Sequence, residues 1–378
     1  MRIPALPYEQ IRQLPEVRWV DLRSPAEFER DHVPEAINVP LFDDAQRAIV
    51  GALYHQVSQE HAYEKGLAYA ESGMPEILEK ILGQAVPERA WKTCFEQLRE
   101  SLRAGQNAVE LVAEPPAAPA DGRPPLALHC WRGGMRSRSV AALIQTLGHP
   151  VVLLEEGYKG YRNWAMDQLD ALQIPPLIIL RGPTGVGKTE ILQQLEQREP
   201  GTTLCLESLA QHRSSILGAV GKEPVSQPSF ETRLLCRMAE MGPGPWFVEG
   251  ESRKVGDVIL PLPLFQAMED GTQWLLQAQT ATRVRNLMED YLATDSAVED
   301  IRAKLPFLEK RIGKTWVGQL DAWMTEGKAA EVTEVLLERY YDPLYAHSDQ
   351  RRSWSGQFEV EAPDLLDQLL EGRRSLTG

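Results

Sequence analysis

LIILRGPTGVGKTEILQQLEQRE, residues 177–199, decides the fold of the second half of this chain. LIILR (177–181) is an apolar run closed by a charge, as in a strand buried inside a parallel sheet. GPTGVGKT (182–189) is a full G-x4-G-K-T phosphate loop, and TEILQQLEQRE (189–199) returns to helical spacing. Strand, glycine loop and helix in that order are the context the motif needs. Gly182, Gly185 and Gly187 let backbone amides wrap a phosphate. Lys188 reaches the terminal phosphates. Thr189 can ligate Mg²⁺ as it opens a helix whose N-terminus faces the anion. The loop reads phosphates and no base, so the expected ligand is a di- or triphosphate.

Outward from this loop the α/β pattern continues. TTLCLES (202–208), PWFVEGES (245–252) and TQWLLQAQ (272–279) read as further strands, TRVRNLMEDYL as a helix, and residues 297–340 as wholly helical. IPP (174–176) marks a domain boundary, which predicts domains over 1–173 and 174–378. In the first, VRWVDLR (17–23) and AINVP (36–40) read as short strands. Between them Ser24, Pro25 and Glu27 make an N-cap, a first-turn proline and a capping-box acid. A helical insertion spans about 44–105: RAIVGALYHQV, then PEILEKILGQ, then AWKTCFEQLRESLRAG, with Gly105 as its stop. EPPAAPADGRPP (114–125) is a proline-rich loop. PLALHC (125–130) is a buried strand, SRSVAALIQTLG (137–148) a helix ended by Gly148, and PVVLLEEGY (150–158) another strand. Strands alternating with helices imply parallel sheets in both domains.

A second phosphate-cradle candidate, HCWRGGMRS (129–137), follows the PLALHC strand and carries a cysteine. Successive amides in a glycine-containing loop can converge on one anion. The following helix adds its N-terminal partial charge, and Arg132 and Arg136 add full ones. These features favour the thiolate of Cys130 over the thiol. Gly133 and Gly134 permit the tight backbone. The same C-x5-R geometry serves cysteine phosphatases and sulfur-transfer enzymes, so the loop alone leaves the chemistry open.

The bulk numbers bound the rest. A chain of 378 residues has the length of about two domains. A net charge of −14 argues against a broad nucleic-acid surface and leaves room for a local basic patch. No apolar run approaches the roughly 20 residues that span a membrane, and MRIPALPYEQ lacks a secretion signature. Cysteines at 94, 130, 205 and 236 include no C-x2-C pair, so neither a dedicated metal site nor a disulfide framework is expected. Cytoplasmic residence in a reducing compartment is the expectation.

VDLRSPAEFERDHVPEAINVP (20–40), HCWRGGMRS (129–137) and LEEGYKGYR (154–162) resemble a rhodanese domain, whose loop cysteine carries a persulfide. With ESLAQHRSS (207–215), SQPSFET (226–232), VEGESRKVG (248–256) and YYDPLY (340–345), nearly the whole chain resembles the tRNA 2-selenouridine synthase family. That resemblance implies a rhodanese-like domain with a helical insertion, followed by a P-loop NTPase-like parallel α/β domain with a helical C-terminal part. Two positions depart from the pattern: Ser214 and Glu156 stand where glycine is expected. The resemblance further implies two reactions on a thiolated wobble uridine in the anticodon region of tRNA. The 2-thio group is geranylated from geranyl diphosphate, then the S-geranyl group is displaced with selenium from selenophosphate. Cys130 would carry that selenium as a selanyl-sulfide, with Arg132 and Arg136 holding the anion. A selenophosphate-supplying enzyme is an expected partner, and a tightly bound cofactor is not expected.

Other residues are candidates with plain alternatives. Glu249 and Glu251 alternate with Gly250 along a strand, so both point one way and could hold Mg²⁺ at the phosphate loop; a solvated acidic strand end is the alternative. Arg253, His212 and Arg213 are candidate anion contacts, or ordinary surface residues. IRAKLPFLEKRIGKTW (301–316) holds Arg302, Lys304, Lys310, Arg311 and Lys314 against one acid, Glu309, and could meet an RNA backbone. Its alternative is a solvated helix face. Trp316 could stack on a base or pack in a core. The competing function is a rhodanese-like sulfurtransferase fused to an ATP-dependent kinase or ATPase. A non-enzymatic tRNA-binding protein is a third reading, against which the intact Cys130, Lys188 and Thr189 count.

Overall fold

The computed structural model describes residues 1–103, 109–116, 122–292, 295–344 and 352–376. Gly105, residues 117–121 of the proline-rich loop and Tyr345 lie outside the described residues. The chain divides into two compact units, Met1–Gln168 and Leu169–Gly378.

Among the described residues the first unit carries a six-stranded sheet whose paired strands all run parallel. In chain order its elements are β1 (Arg2–Leu6), α1 (Tyr8–Ile11), β2 (Arg18–Asp21), α2 (Pro25–Arg30), β3 (Ile37–Asn38), α3 (Asp44–Gln56), α4 (Gln59–Leu82), α5 (Glu88–Arg103), β4 (Glu110–Val112), β5 (Leu126–His129), α6 (Met135–Thr146), β6 (Val151–Leu154) and α7 (Gly157–Asp170). The sheet order is β3-β2-β5-β6-β1-β4. β5 is buried along its length, which is why its sequence runs apolar without alternation. Ser24, Pro25 and Glu27 form the expected capping box. The insertion is helical, but Pro75 lies inside α4 and does not begin a helix there. Met74, Ile77, Leu78 and Ile81 of α4 pack into the core beside Trp91 and Phe95 of α5, and that burial holds the helix together across the proline.

The second unit holds β7 (Leu177–Arg181), α8 (Lys188–Arg198), β8 (Thr203–Leu204), α9 (Leu206–Ala210), α10 (Gln227–Glu240), β9 (Trp246–Glu249), β10 (Lys254–Val255), β11 (Val258–Ile259), α11 (Leu262–Asp270), β12 (Thr272–Gln277), α12 (Thr280–Tyr291), α13 (Asp295–Ile312), α14 (Gln319–Thr325), α15 (Ala329–Leu336), β13 (Gly356–Glu359) and α16 (Leu365–Ser375). Its main sheet runs β13-β12-β7-β9-β8, all parallel, and β10 pairs antiparallel with β11. β7 is central, so the phosphate loop leaves the middle of the sheet.

Several expectations are corrected. The strand read over 202–208 is two residues long, and Leu206 starts α9, because the Glu207 amide is taken by the Glu249 carboxylate and not by a ladder partner. The helical stretch 297–340 is interrupted where Gly313, Gly318 and Gly327 take positive φ. The strand read over 150–158 stops at Leu154; Glu156 and Gly157, at φ 55° and 61°, turn the chain into α7 and place Tyr158 on a helix. Glu156 thus occupies a left-handed position that favours glycine, matching the departure noted in the sequence. β1, β4 and β13 lie in too mixed a sequence to be read from periodicity.

Candidate active site

The cysteine loop is built between two strand ends. Cys130 follows β5, and α6 starts at Met135 behind Gly134, two residues before the expected start at Ser137. The Cys130 and Trp131 carbonyls accept from the Tyr158 and Lys159 amides at 2.8 and 3.0 Å, fastening the loop to the first turn of α7. This close approach needs two glycines. Gly133 has φ 63°, and a Cβ there would stand 3.2 Å from the Gly157 nitrogen; a Cβ on Gly157, at φ 61°, would overlap the Cys130 carbonyl and the Gly133 amide. A Cβ on Gly134 would meet nothing within 4 Å, so the second glycine of the pair is not sterically required.

Cys130 is 2% exposed, with Sγ 3.3 Å from the Ser137 hydroxyl. The two expected anion-holding arginines separate. Arg132 is exposed, whereas Arg136 leans on Glu27 at 3.6 Å. Glu27 also closes the α2 capping box and meets Arg47.

Against the loop lies a polar network that the sequence reading did not single out. Arg23 is clamped by Asp21 and donates to the Asp31 carbonyl at 2.7 Å. Its guanidinium lies 3.7 Å from the Tyr158 ring centroid and 6.0 Å from that of Trp131, whose ring lies 5.4 Å from Tyr158. Tyr158 donates its hydroxyl to Asp31 at 2.6 Å; burial, and then the Asp31 charge, push its pKa up. His129 is fully buried, and burial lowers its pKa to about 4, so it is neutral at pH 7. The sequence signal for this network was the rhodanese-like resemblance, whose three stretches hold Asp21, Arg23 and Asp31, His129 and Trp131, and Tyr158.

The phosphate loop has its expected glycines at positive φ: 153° at Gly182, 80° at Gly185 and 90° at Gly187. A Cβ at Gly182 would stand 2.6 Å from the Leu276 carbonyl. α12 stitches the loop from outside: Arg283 donates to the Thr184 carbonyl at 2.9 Å and Asn286 to the Gly185 carbonyl at 2.9 Å. Because a trans peptide sets its C=O and N–H in opposite directions, the Gly185 amide points away from α12. Arg283 is itself held by both carboxylate oxygens of Asp342, within the YYDPLY stretch. Lys188 folds back on the Gly182 carbonyl at 3.2 Å.

Glu207 stands beside Thr189, and Glu249 and Glu251 interact with Glu207. Glu207, which sequence reasoning missed as a site residue, accepts from the Thr189 hydroxyl at 3.2 Å and from the Ser214 amide at 2.6 Å. Glu249 is fully buried and accepts from the Glu207 amide and the Cys205 thiol. Burial first, then the neighbouring carboxylates, push Glu249 up to about 8. Burial and Glu207 push Glu251 up to about 7, with Lys188 pulling the other way. Glu249 ends β9 and Glu251 lies past it, its amide donating to the Glu249 carbonyl at 3.0 Å, so the two do not alternate along one strand as expected; each interacts electrostatically with Glu207. Among the described residues no set of three or more His, Cys, Asp or Glu side chains is arranged to hold a metal ion. Thr189 with Glu207 fits the sparser protein ligation that Mg²⁺ uses beside phosphates.

The remaining candidates scatter. Arg253 is exposed just before β10. The Arg213 guanidinium donates to the Val220 and Asp290 carbonyls and lies 4.4 Å from the Tyr291 ring centroid. His212 fills the space over Gly256 and Gly218, and burial lowers its pKa. Lys304 donates to the Ile216 carbonyl and is half-buried, while Arg302 pairs with Asp321. Lys310, Arg311 and Lys314 are exposed. Glu309, the one acid of that stretch, is buried and caps α14 through the Gly318 and Leu320 amides. Trp316 packs edge-on against Trp323, the core alternative of the two considered.

Comparison with known proteins converges on one family. A family profile described as the tRNA 2-selenouridine synthase AAA domain matches residues 175–374. The chain is 30% identical over 384 residues to a protein of Pseudomonas syringae pv. tomato named tRNA 2-selenouridine synthase, covering 92% of this chain and 94% of the relative. A protein of the same name from Pseudomonas savastanoi pv. phaseolicola is 29% identical over 95% of each chain. Another from Bordetella petrii is 28% identical over 94% of this chain and 93% of its own.

Proposed function

From the premise that this chain belongs to the tRNA 2-selenouridine synthase family, we propose that it replaces sulfur by selenium at the 2-position of a thiolated wobble uridine, through an S-geranyl intermediate. Sulfide is a poor leaving group, and alkylation turns it into a thiolate that leaves more readily. In the first reaction the 2-thio sulfur attacks C1 of geranyl diphosphate. A C–S bond forms, the C–O bond breaks with its electron pair leaving on diphosphate, and the N3 proton passes to solvent. In the second, selenium from selenophosphate bonds to C2 of the base. The C2–S bond breaks, geranyl thiolate departs and is protonated, and water takes the phosphoryl group to phosphate.

The roles divide by unit. Cys130 is the residue at which selenophosphate delivers its selenium to C2, at one oxidation level and with no selanyl-sulfide formed, and its loop is packed onto the start of α7 through Gly133 and Gly157. Lys188 and the Gly185 amide neutralise charge growing on the departing diphosphate, as preorganised cations and donors do. Thr189 and Glu207 are the residues that would hold Mg²⁺, which when bound adds to that neutralisation. Lys310, Arg311 and Lys314 form the exposed basic face offered to tRNA; Lys304 is committed to the Ile216 carbonyl. The observation that carries the reading is family membership over nearly the full chain with both a loop cysteine and an intact phosphate loop in place.

Lys188→Ala provides the test. It is expected to suppress geranylation of 2-thiouridine RNA and to spare selenation of RNA already geranylated. If selenation of the pre-geranylated RNA collapses equally, or if the wild-type chain needs ATP hydrolysis for either reaction, the division of labour is wrong and the kinase or ATPase reading gains.

A further inference from the structure

Trp131 is not used by the chemistry above, and its surroundings set it apart. Of the nine tryptophans in the chain it is the exposed one, at 40%; Trp19, Trp91, Trp246 and Trp274 are buried and the others half-buried. It directly follows Cys130, so the two Cα atoms stand about 3.8 Å apart.

The exposed indole rests on fixed parts. The Trp131 carbonyl accepts from the Lys159 amide at 3.0 Å, which ties its backbone to α7. Its ring lies 5.4 Å from that of Tyr158, tilted by 33°. Tyr158 is buried and held in turn by its hydrogen bond to Asp31 and by the Arg23 guanidinium over its ring. The charges around the indole are mixed. Arg132 and Lys159 are exposed cations, and Glu155 and Glu156 are exposed acids of the turn into α7. That mixture makes no broad anion surface, so what the patch offers a ligand is a supported ring face with cations beside it. Unpaired bases of RNA loops are taken on such faces, because a base splayed from its own stack recovers stacking on an aromatic side chain.

We propose that Trp131 is the stacking platform for the pyrimidine ring of the target base, holding it beside the Cys130 loop. Resting on the reading of a thiolated wobble uridine as the substrate, the proposal adds the residue that positions it. The wobble base lies in an unpaired loop, where stacking needs no duplex to be opened. The support from Tyr158 leaves little side-chain freedom to be lost on binding, which favours affinity.

The test measures equilibrium binding of two labelled anticodon stem–loop RNAs to the full chain, one with 2-thiouridine at the wobble position and one abasic there. Wild type is expected to prefer the 2-thiouridine RNA by about 10-fold or more. Trp131→Leu keeps apolar bulk against Tyr158 but has no ring face, and is expected to cut that preference to about 2-fold or less. Trp131→Phe keeps a ring face and is expected to retain about 5-fold or more. The abasic RNA is expected to bind all three chains alike. A wild-type preference in Trp131→Leu, or equal loss in both variants, overturns the platform and leaves the substrate reading standing. Wild type that modifies the 2-thiouridine stem–loop yet shows no preference for it also overturns the platform alone. Wild type that neither prefers nor modifies it overturns the substrate reading, and the platform with it. Should Trp131→Leu fail to fold, hydroxyl-radical footprinting of wild type decides. Saturating 2-thiouridine RNA is then expected to suppress oxidation of Trp131, read by mass spectrometry, and saturating abasic RNA to leave it unchanged; equal protection by both, or by neither, overturns the platform.

Discussion

Gly157→Ala tests whether the turn into α7 sets the cysteine loop. The residue sits at φ 61°, where an L side chain costs about 1–2 kcal/mol. Its new Cβ would overlap the Cys130 carbonyl and the Gly133 amide, both backbone atoms that no rotamer change can move away. Relieving that overlap parts the loop from α7 and strains the Tyr158-to-Cys130 and Lys159-to-Trp131 hydrogen bonds, for a further cost of about 1–3 kcal/mol. The sum is about 3 kcal/mol, or a fall of about 6–12 °C in the unfolding temperature of a unit of this size. Gly134→Ala is the internal control: its Cβ meets nothing within 4 Å and its φ of −84° suits alanine, so the cost is at most about 1 kcal/mol for a poorer N-cap. Calorimetry of the full chain reads both variants, and mass spectrometry reads alkylation of Cys130, now 2% exposed. Faster Cys130 alkylation and a lowered first-unit transition are expected for Gly157→Ala only. Equal behaviour of the two variants would refute the argument that loop and turn are locked by this contact.

Cys130→Ser is expected to abolish 2-selenouridine formation while geranylation and tRNA binding persist; nucleoside mass analysis showing normal selenation would remove Cys130 from its proposed role. Reversing Lys310 and Arg311 to glutamate should weaken tRNA binding and flatten the log–log salt dependence by about 2; an unchanged slope places the RNA surface elsewhere. Stability should also follow pH through the buried glutamates. Glu249 and Glu251 keep protons in the fold up to about 8 and about 7, against an ordinary 4.5 in the unfolded chain. Across that window the unfolded state binds fewer protons, so stability falls as pH rises. Calorimetry should show the second-unit transition dropping between about pH 5 and about pH 8.5, and less so in Glu249→Gln; a rise over that range contradicts the assignment.

What the sequence determined by itself is what contiguous residues encode. LIILRGPTGVGKT specifies a strand, a loop of positive-φ glycines and a helix start within thirteen residues, since the chemistry of phosphate binding is local to the backbone. The same holds for the Ser24–Glu27 capping box, for β5 as a buried apolar run, and for the family that the combined motifs resemble. Tertiary structure decided everything that depends on which distant segments meet. Pro75 stays within α4 because its neighbours are buried. Arg136 turns to Glu27, Lys304 is spent on a carbonyl, and Glu207 joins Glu249 and Glu251, pairings between residues tens of positions apart. Gly157 matters more to the cysteine loop than Gly134 does, though it lies 23 positions farther along the chain, because parallel strands bring their C-terminal ends together.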